Sequence, residues 1–362
     1  MSKRKVHLDL LRVIAIILVL YNHLHGYTAY MREEGVTRWI YMAGSAVTRA
    51  NVPIFLMISG ALLLKKNYEY TNKDYWKKIF RFIAVLLLFE IIVYLEYCKL
   101  DLFYDPSYKA NFKDFIYGLA ANSIEETYSY WYIYTYICFL FMLPLLQRIA
   151  LHMKRADFYV ILTLHFLLVS FVPCFNVFLA HYNLAPITLA DSITVPLAVT
   201  NAIFFPLMGH YLDNCLDIKQ VKMVELLNLT LITVMSILVT CVLTYREGKV
   251  DGYGNDIIQH YDFDYVVAIY VFILIKYLVT LRQEKQNRKE TLDYVIVSLG
   301  KLTFGVYLLD PVLKGPLYYS RYLNIHFNSS LIESIGWIII SFSAGGSITW
   351  ILKKTRIFNK LI

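Results

Sequence analysis

Apolar stretches recur along the whole chain, and short polar segments separate them. A helix of about 20 apolar residues is long enough to cross a bilayer. The pattern therefore predicts an all-α, polytopic membrane protein, a bundle of about ten transmembrane helices that forms a single membrane-embedded domain over residues 1–362. The spans at 40–64 and 294–313 are the weakest, because each contains charged residues. The ten predicted spans are residues 8–29, 40–64, 77–98, 131–149, 157–179, 193–213, 225–245, 263–281, 294–313 and 332–352.

The first predicted span carries ionisable side chains in an otherwise apolar sequence. At about 100° per residue, Arg12 and His23 lie within about 20° of the same helix face, and about 16 Å apart along the axis. Asp9 lies on that face one turn before Arg12. Ionisable groups inside a membrane helix are costly, so this stripe predicts a functional site.

The composition supports the membrane assignment and gives an orientation. The chain is 58% hydrophobic and 17% charged, which excludes an ordinary soluble domain. The short loops on the side of the two termini contain 22 Lys and Arg residues, against 9 on the other side. The positive-inside rule therefore places both termini in the cytoplasm. The formal net charge of +8 is explained by this asymmetry, and we expect no nucleic-acid partner.

Several short motifs follow one another along the chain. In order they are Leu8-Asp9-Leu10-Leu11-Arg12 with His23, Arg49-Ala50-Asn51-Val52-Pro53-Ile54-Phe55-Leu56-Met57-Ile58-Ser59-Gly60, Trp131-Tyr132-Ile133-Tyr134 with Pro144-Leu145-Leu146, Phe205-Pro206-Leu207-Met208-Gly209, and Phe304-Gly305-Val306-Tyr307-Leu308-Leu309. The first resembles the opening Arg-x10-His motif of the acyltransferase-3 family of integral-membrane O-acyltransferases. The second resembles that family's Arg-x-x-Val-Pro-Leu-Phe-Phe-x-x-Ser-Gly signature, and the others resemble its later helices.

This resemblance implies ten or so helices and transfer of an acyl group from cytoplasmic acyl-CoA to a hydroxyl, often on a cell-surface glycan. Three features depart from the family pattern. Ser129 and Asp310 stand where relatives often carry histidine, and Glu90 occupies the middle of a third span that lacks the usual proline. His23 therefore remains as the main candidate for a catalytic base.

Histidine suits the base that a hydroxyl acceptor needs, because it is the side chain that ordinarily titrates nearest to neutral pH. The structural alternative for His23 is a hydrogen bond to a neighbouring helix.

Four residues near the cytoplasmic side are predicted to bind the donor, which we expect to be acetyl-CoA. A guanidinium group matches the geometry of phosphates, so Arg12 is predicted to bind those of coenzyme A and to assist catalysis, with Asp9, Arg81 and Lys78 nearby. The alternatives are structural. Arg12 would extend to the lipid headgroups, and Asp9 would form a surface ion pair. Arg81 and Lys78 would only add to the positive charge of the cytoplasmic loops, which sets the orientation of the protein in the membrane.

Five further residues are predicted to bind the substrate. Arg49, in the outer half of the second span, would steady the thioester carbonyl or an anionic acceptor, or else pair with Glu90. Ser59 would contact the substrate or sit at a close helix contact. Trp131 and Tyr132 would contact the substrate, with Trp131 stacking on a glycan, or belong to the aromatic belt of the outer interface. Glu90, in the third span, is the fifth predicted substrate-binding residue.

The sequence thus predicts a cell-membrane O-acyltransferase that uses acyl-CoA and modifies a hydroxyl of an extracytoplasmic or lipid-linked glycan. Five cysteines without a Cys-x-x-Cys pair give no reason to expect a metal. The main alternative is a secondary transporter that moves protons or anions through the intramembrane Arg, His and Glu residues. Such transporters carry internal repeats with paired broken helices, and no repeat is visible in this sequence. A structural or sensory domain is the third reading.

Overall fold

The computed structural model describes residues 4–23, 35–66, 68–104, 111–124, 127–190, 200–250, 263–284, 290–315, 317, 330–356 and 358–361. This part of the chain is helical and contains no strand. Its α-helices are α1 (Val6–His23), α2 (Val36–Thr48), α3 (Asn51–Leu63), α4 (Lys73–Tyr104), α5 (Phe112–Ala121), α6 (Trp131–His152), α7 (Arg155–His165), α8 (Val172–His181), α9 (Asn201–His210), α10 (Met223–Val250), α11 (Asp264–Glu284), α12 (Glu290–Gly300), α13 (Thr303–Lys314), α14 (Ser330–Leu352) and α15 (Phe358–Leu361).

Several of these helices are suited to a membrane, which confirms the all-α, multi-pass prediction. Within the described residues, seven helical segments are long and apolar enough to cross a bilayer, or eight if the bent pair α12 and α13 counts as one span. Of the other two predicted spans, 77–98 falls on α4, and residues 201–213 of the span 193–213 fall on α9 and the π-helical turn that follows it. Residues 193–199 lie outside the described part of the chain. The count of ten spans and the cytoplasmic termini stay predictions.

Helix α1 lies at the centre of the bundle. It packs against α2, α3, α11, α12, α13 and α14. Leu11, Ala15, Ile16 and Val19 are buried along its length. The polar stripe of this helix is therefore enclosed largely by protein, where an ionisable side chain can find partners.

Helices α3 and α9 cross at very short range. A Cβ atom added at Gly60 would collide with the backbone of Pro206, and one added at Gly209 would collide with the backbone of Met57. Small residues permit such backbone contact between membrane helices. The contact fixes the position of α3 and of Ser59, the residue before Gly60.

The two spans predicted to be the weakest, 40–64 and 294–313, are both interrupted. Helix α2 gives way to α3 at Arg49 and Ala50, and α12 meets α13 at a bend of 47° around Lys301. A break leaves backbone carbonyls without helical partners, and these must be satisfied from elsewhere. The Nζ atom of Lys353 donates to the carbonyl of Lys301 at 2.6 Å.

A buried lysine has a comparable structural role at the end of α9. The Nζ atom of Lys276, in the middle of α11, donates to the carbonyls of Leu212, Asp213 and Leu216 at 2.7, 3.1 and 2.9 Å. These carbonyls belong to the π-helical turn Tyr211–Cys215 and the residue after it. This intramembrane cation therefore stabilises an irregular turn.

Candidate functional site

The last residue of α1 forms a buried pair with α13. Nδ1 of His23 lies 2.7 Å from Oδ2 of Asp310. Asp310 is fully buried, and the His23 side chain keeps 15% of its exposure. A carboxylate accepts hydrogen bonds and has none to donate, so the shared hydrogen belongs to Nδ1. Nε2 of His23 then carries a free lone pair, as a proton acceptor requires.

The carboxylate of Asp310 is itself held by two donors from α14. Its Oδ1 accepts from Nε1 of Trp337 at 3.1 Å and from Oγ of Ser341 at 2.6 Å. Trp337 and Ser341 are four residues apart, so they project from the same face of α14. These contacts stabilise the negative charge on Asp310 and fix its orientation toward His23.

Further bonds fix the surroundings of this pair. Nζ of Lys314 donates to the carbonyl of His23 at 2.9 Å, which satisfies a carbonyl at the end of α1. The hydroxyl of Tyr130 donates to the carbonyl of Leu308 at 2.7 Å. The hydroxyl of Tyr307 donates to the carbonyl of Ser129. The start of α6 is thereby bound to α13 beside Asp310.

A cavity of about 190 Å³ lies between α1, α3, α4, α6 and α13. Arg12, Ser59, Tyr132 and Tyr307 line it, so that it joins three of the predicted site residues. The ring of Tyr307 lies 6.5 Å, centroid to centroid, from the ring of His23. The cavity thus leads from Arg12 to the neighbourhood of the His23–Asp310 pair. Its full lining is Arg12, Phe55, Ile58, Ser59, Phe82, Tyr132, Tyr136, Thr303, Phe304 and Tyr307.

Asp9 and Arg12 are in contact, as their spacing on α1 indicates. The carboxylate of Asp9 is fully buried and accepts from Nη1 of Arg12. It also accepts from Nε and Nη2 of Arg4 at 2.5 and 2.8 Å. A Cβ atom at Gly300 would lie only 2.9 Å from the Cβ atom of Asp9, which shows how closely α12 covers this carboxylate. Asp9 therefore positions two arginines and is not open to a ligand.

The other two residues predicted to bind the donor have partners of their own. Nε of Arg81 donates to the carbonyl of Leu361, in α15, at 3.0 Å. Nζ of Lys78 lies 3.4 Å from the hydroxyl of Tyr68. Arg81 is next in sequence to Phe82, which lines the cavity. Their cofactor role stays a prediction.

Arg49 and Trp131 lie outside the main cavity. Arg49 lines a separate, small cavity together with Asp264, so the acid that shares its surroundings belongs to α11. Trp131, at the start of α6, is 40% exposed on the surface of the bundle. The next residue, Tyr132, points inward and meets the ring of Tyr307 edge-on at 5.7 Å.

Glu90 is a fully buried carboxylate in α4. Its Oε1 lies 3.4 Å from the hydroxyl of Tyr134, which also donates to the carbonyl of Leu119 at 2.6 Å. Within the described residues, Oε2 of Glu90 is buried without a hydrogen-bond partner. A buried oxygen in this condition is rare and is able to accept a hydrogen bond from a bound molecule.

Sequence reasoning missed the partners of His23. Asp310, Trp337, Ser341 and Lys314 are far from His23 in the chain, and Asp310 was noted only as a departure from a family pattern. The sequence did contain a signal, because Asp310 and Lys314 lie in or next to an apolar stretch and charged residues in such a place usually have a partner in the bundle. In the part of the chain that the structure describes, no three His, Cys, Asp or Glu residues converge as metal ligands.

The amino-acid sequence matches a known protein family. A family model described as an acyltransferase domain, acyltransferase-3, matches residues 6–353. No curated protein and no solved structure matches the chain. The match covers nearly the whole sequence and includes α1, which carries His23, α13, which carries Asp310, and α14, which carries Trp337 and Ser341. The chain therefore belongs to the acyltransferase-3 family.

Proposed function

We propose that this protein is a membrane O-acyltransferase that uses acyl-CoA, with acetyl-CoA as the expected donor, and that residues 1–362 form one membrane-embedded catalytic domain. The observation that carries the proposal is the His23–Asp310 pair, 2.7 Å apart, whose imidazole ring lies 6.5 Å from the ring of Tyr307, and Tyr307 lines the same cavity as Arg12. This arrangement supplies a base, a group that orients the base, and a cation for an anionic donor. Family membership supports acyl transfer as the reaction type.

In the proposed reaction, His23 acts as the general base. The acceptor hydroxyl oxygen attacks the thioester carbonyl carbon while its proton passes to Nε2 of His23. The carbon–sulfur bond then breaks, and the imidazolium returns the proton to the leaving thiolate. The products are an O-acyl ester and the free thiol of CoA. Asp310 stabilises the imidazolium and holds the tautomer that leaves Nε2 free.

Donor and acceptor would approach from opposite ends of the bundle. The end that carries Arg4, Lys301 and Lys353 is rich in basic loops, and the positive-inside rule assigns it to the cytoplasm, where acyl-CoA is found. The acyl group would extend along the cavity past Arg12 toward Tyr307. The acceptor would then reach His23 from the outer side of the membrane.

The acceptor is proposed to be a hydroxyl-rich molecule such as an extracytoplasmic or lipid-linked glycan. Oε2 of Glu90 supports this, because a buried acceptor oxygen that has no hydrogen-bond partner among the described residues fits a substrate hydroxyl. Tyr132 and Ser59, which line the cavity, are placed to contact the donor's acyl end. Arg49 and Trp131 lie away from this path, and we assign them no contact with the acyl group.

The test combines donor binding with acetylation in cells. Purified wild-type protein and His23→Ala are titrated with acetyl-CoA, and base-labile acetate on extracytoplasmic glycans is measured in cells that carry either form in place of the native protein. We expect both forms to bind acetyl-CoA, and only the wild type to restore O-acetylation. Full acetylation by a folded His23→Ala protein would remove the proposed base. Uptake of a solute by proteoliposomes without acyl-CoA would favour a transporter instead.

A further inference from the structure

Four cations meet at the end of the bundle where α1 begins. They are Arg4, Arg81, Lys301 and Lys353, and together they are called the basic rim. Arg4 binds Asp9, whose side chain is in close contact with Gly300, and Lys301 follows Gly300 at the bend between α12 and α13. Lys353, just after α14, donates to the carbonyl of Lys301. A continuous set of contacts thus joins three separate parts of the chain.

The basic rim lies at the edge of the donor cavity. Thr303 and Phe304, which follow Lys301 closely, line the cavity, and so does Phe82, which follows Arg81. The rings of Phe82 and Phe304 lie 5.6 Å apart, so that the segments carrying Arg81 and Lys301 face each other across this edge.

The basic rim has an excess of positive charge. Burial lowers the pKa of the Lys353 ammonium group. Repulsion from Arg81, Arg4 and Lys301 lowers that pKa further. The carboxylate of Asp9, which contacts Arg4, is fully buried and shared with Arg12. Among the described residues that the contacts above place at the basic rim, Asp9 supplies a single negative charge against several cations, and a multiply charged anion at this place would relieve their repulsion.

The order of groups along acyl-CoA indicates which anion meets the basic rim. With the thioester near Tyr307 and His23, the pantetheine arm and the diphosphate follow toward Arg12, and the nucleotide with its 3′-phosphate comes last. A phosphate monoester carries about −1.5 to −2 charge at pH 7, more than one cation can balance.

We propose that Lys301 and Lys353, with Arg4 beside them, bind the 3′-phosphate of the acyl-CoA donor and make the enzyme selective for donors that carry it. This inference rests on the proposed function and adds to it the group that the basic rim recognises. The phosphate of an anionic lipid headgroup offers the same chemistry, so the test must separate the two sources.

The test measures the Kd of acetyl-CoA and of 3′-dephospho-acetyl-CoA in nanodiscs made only of phosphatidylcholine. The test protein carries Lys301→Gln and Lys353→Gln. The control carries Lys222→Gln and Lys354→Gln, which remove the same charge from exposed positions. The wild type and the control should bind acetyl-CoA about 10-fold or more tightly than the dephospho donor. The test protein should bind both donors with the same weak affinity. Because a glutamine amide is also able to donate a hydrogen bond to the backbone carbonyl at position 301, thermal unfolding without ligand should stay close to that of the wild type.

Other outcomes overturn the inference in distinguishable ways. Equal affinity of the wild type for both donors would show that the 3′-phosphate is not recognised, and would leave the proposed function intact. An equal loss of affinity in the control protein would show that the effect comes from the overall positive charge of the protein and not from Lys301 and Lys353. If the lysine changes alter only the response to added phosphatidylglycerol, the basic rim binds lipid. Failure of the wild type to bind either donor would reject the proposed function together with this inference.

Discussion

Two fully buried carboxylates, those of Asp9 and Asp310, lie near opposite ends of helix α1. They differ in the type of side chain that binds them. Asp9, in the first turn of α1, is bound by Arg4 and Arg12, which keep their charge at all relevant pH values. Asp310 lies beside the last residue of α1 and is bound by His23, whose imidazole is the type of side chain that accepts and returns a proton in catalysis. The remaining donors to Asp310, an indole and a hydroxyl, are neutral.

This difference separates a positioning contact from one that is able to take part in proton transfer. At Asp9 the charges are permanent, so the contact fixes the arginines beside the cavity. At Asp310, the proposed mechanism places a positive charge on His23 during the reaction, and the carboxylate would stabilise it. Changes at the two ends should therefore affect different measurable quantities, namely the turnover rate at Asp310 and donor affinity or stability at Asp9 and Arg12.

The largest effect is expected from Asp310→Asn. An amide in place of the carboxylate no longer stabilises the imidazolium and is able to donate a hydrogen to Nδ1, which moves the proton of His23 to Nε2. We expect kcat to fall by about 10³- to 10⁴-fold, as for a comparable change in a catalytic triad. The Kd of acetyl-CoA should stay within about twofold of the wild-type value. A variant with normal kcat would show that the pair has no role in proton transfer.

For Arg12→Gln we expect a large change in the Kd of acetyl-CoA and a small change in kcat. The side chain keeps its polar character but loses the charge that faces the cavity. Loss of one charged contact with a phosphate should raise the Kd of acetyl-CoA by about 10-fold or more. At saturating donor, kcat should change far less than in Asp310→Asn. Titration calorimetry with acetyl-CoA and steady-state kinetics give the two values, and a fall confined to kcat would contradict the proposed donor role.

The features of the site and fold that depend on neighbouring residues in the chain could be predicted from the sequence. Asp9, Arg12 and His23 lie on one helix, so their spacing alone places them on one face. The spans 40–64 and 294–313 were predicted to be the weakest because each contains charge, and a helix break lies in both. In both cases the prediction depended on local geometry, which the sequence encodes directly.

The partners that close the site could not be predicted in this way. His23 and Asp310 are separated by 287 positions, and their contact depends on how α1 and α13 pack. Arg81 binds a backbone carbonyl of α15, an interaction that carries no sequence signal. Arg49 shares a cavity with Asp264 because α2 and α11 meet there, whereas the sequence pointed to Glu90 as the nearest intramembrane acid.

Asp9→Asn tests whether the ion pair at the start of α1 is a positioning contact. The neutral amide retains the shape of the side chain but leaves two guanidinium groups without their counter-charge. We expect the free energy of unfolding to fall by about 2 kcal/mol, because hydrogen bonds between charged groups at a buried carboxylate are lost. Thermal unfolding in detergent measures the loss. A drop in kcat as large as that of Asp310→Asn, at unchanged stability, would mean that the two carboxylates are not different in kind.

The smallest effect is expected from Ser341→Ala, which removes one of the two neutral donors to Asp310. The hydroxyl helps to orient the carboxylate, while Trp337 still donates to the same oxygen. One hydrogen bond to a charged group is worth about 1.5 to 3 kcal/mol, and its partial replacement by the remaining donor should limit the fall in kcat to about 10-fold. Ser343→Ala is the matched control, since Ser343 lies on the exposed face of the same helix. Equal kcat values for the two variants would show that Asp310 needs only its bond from Trp337 to orient His23.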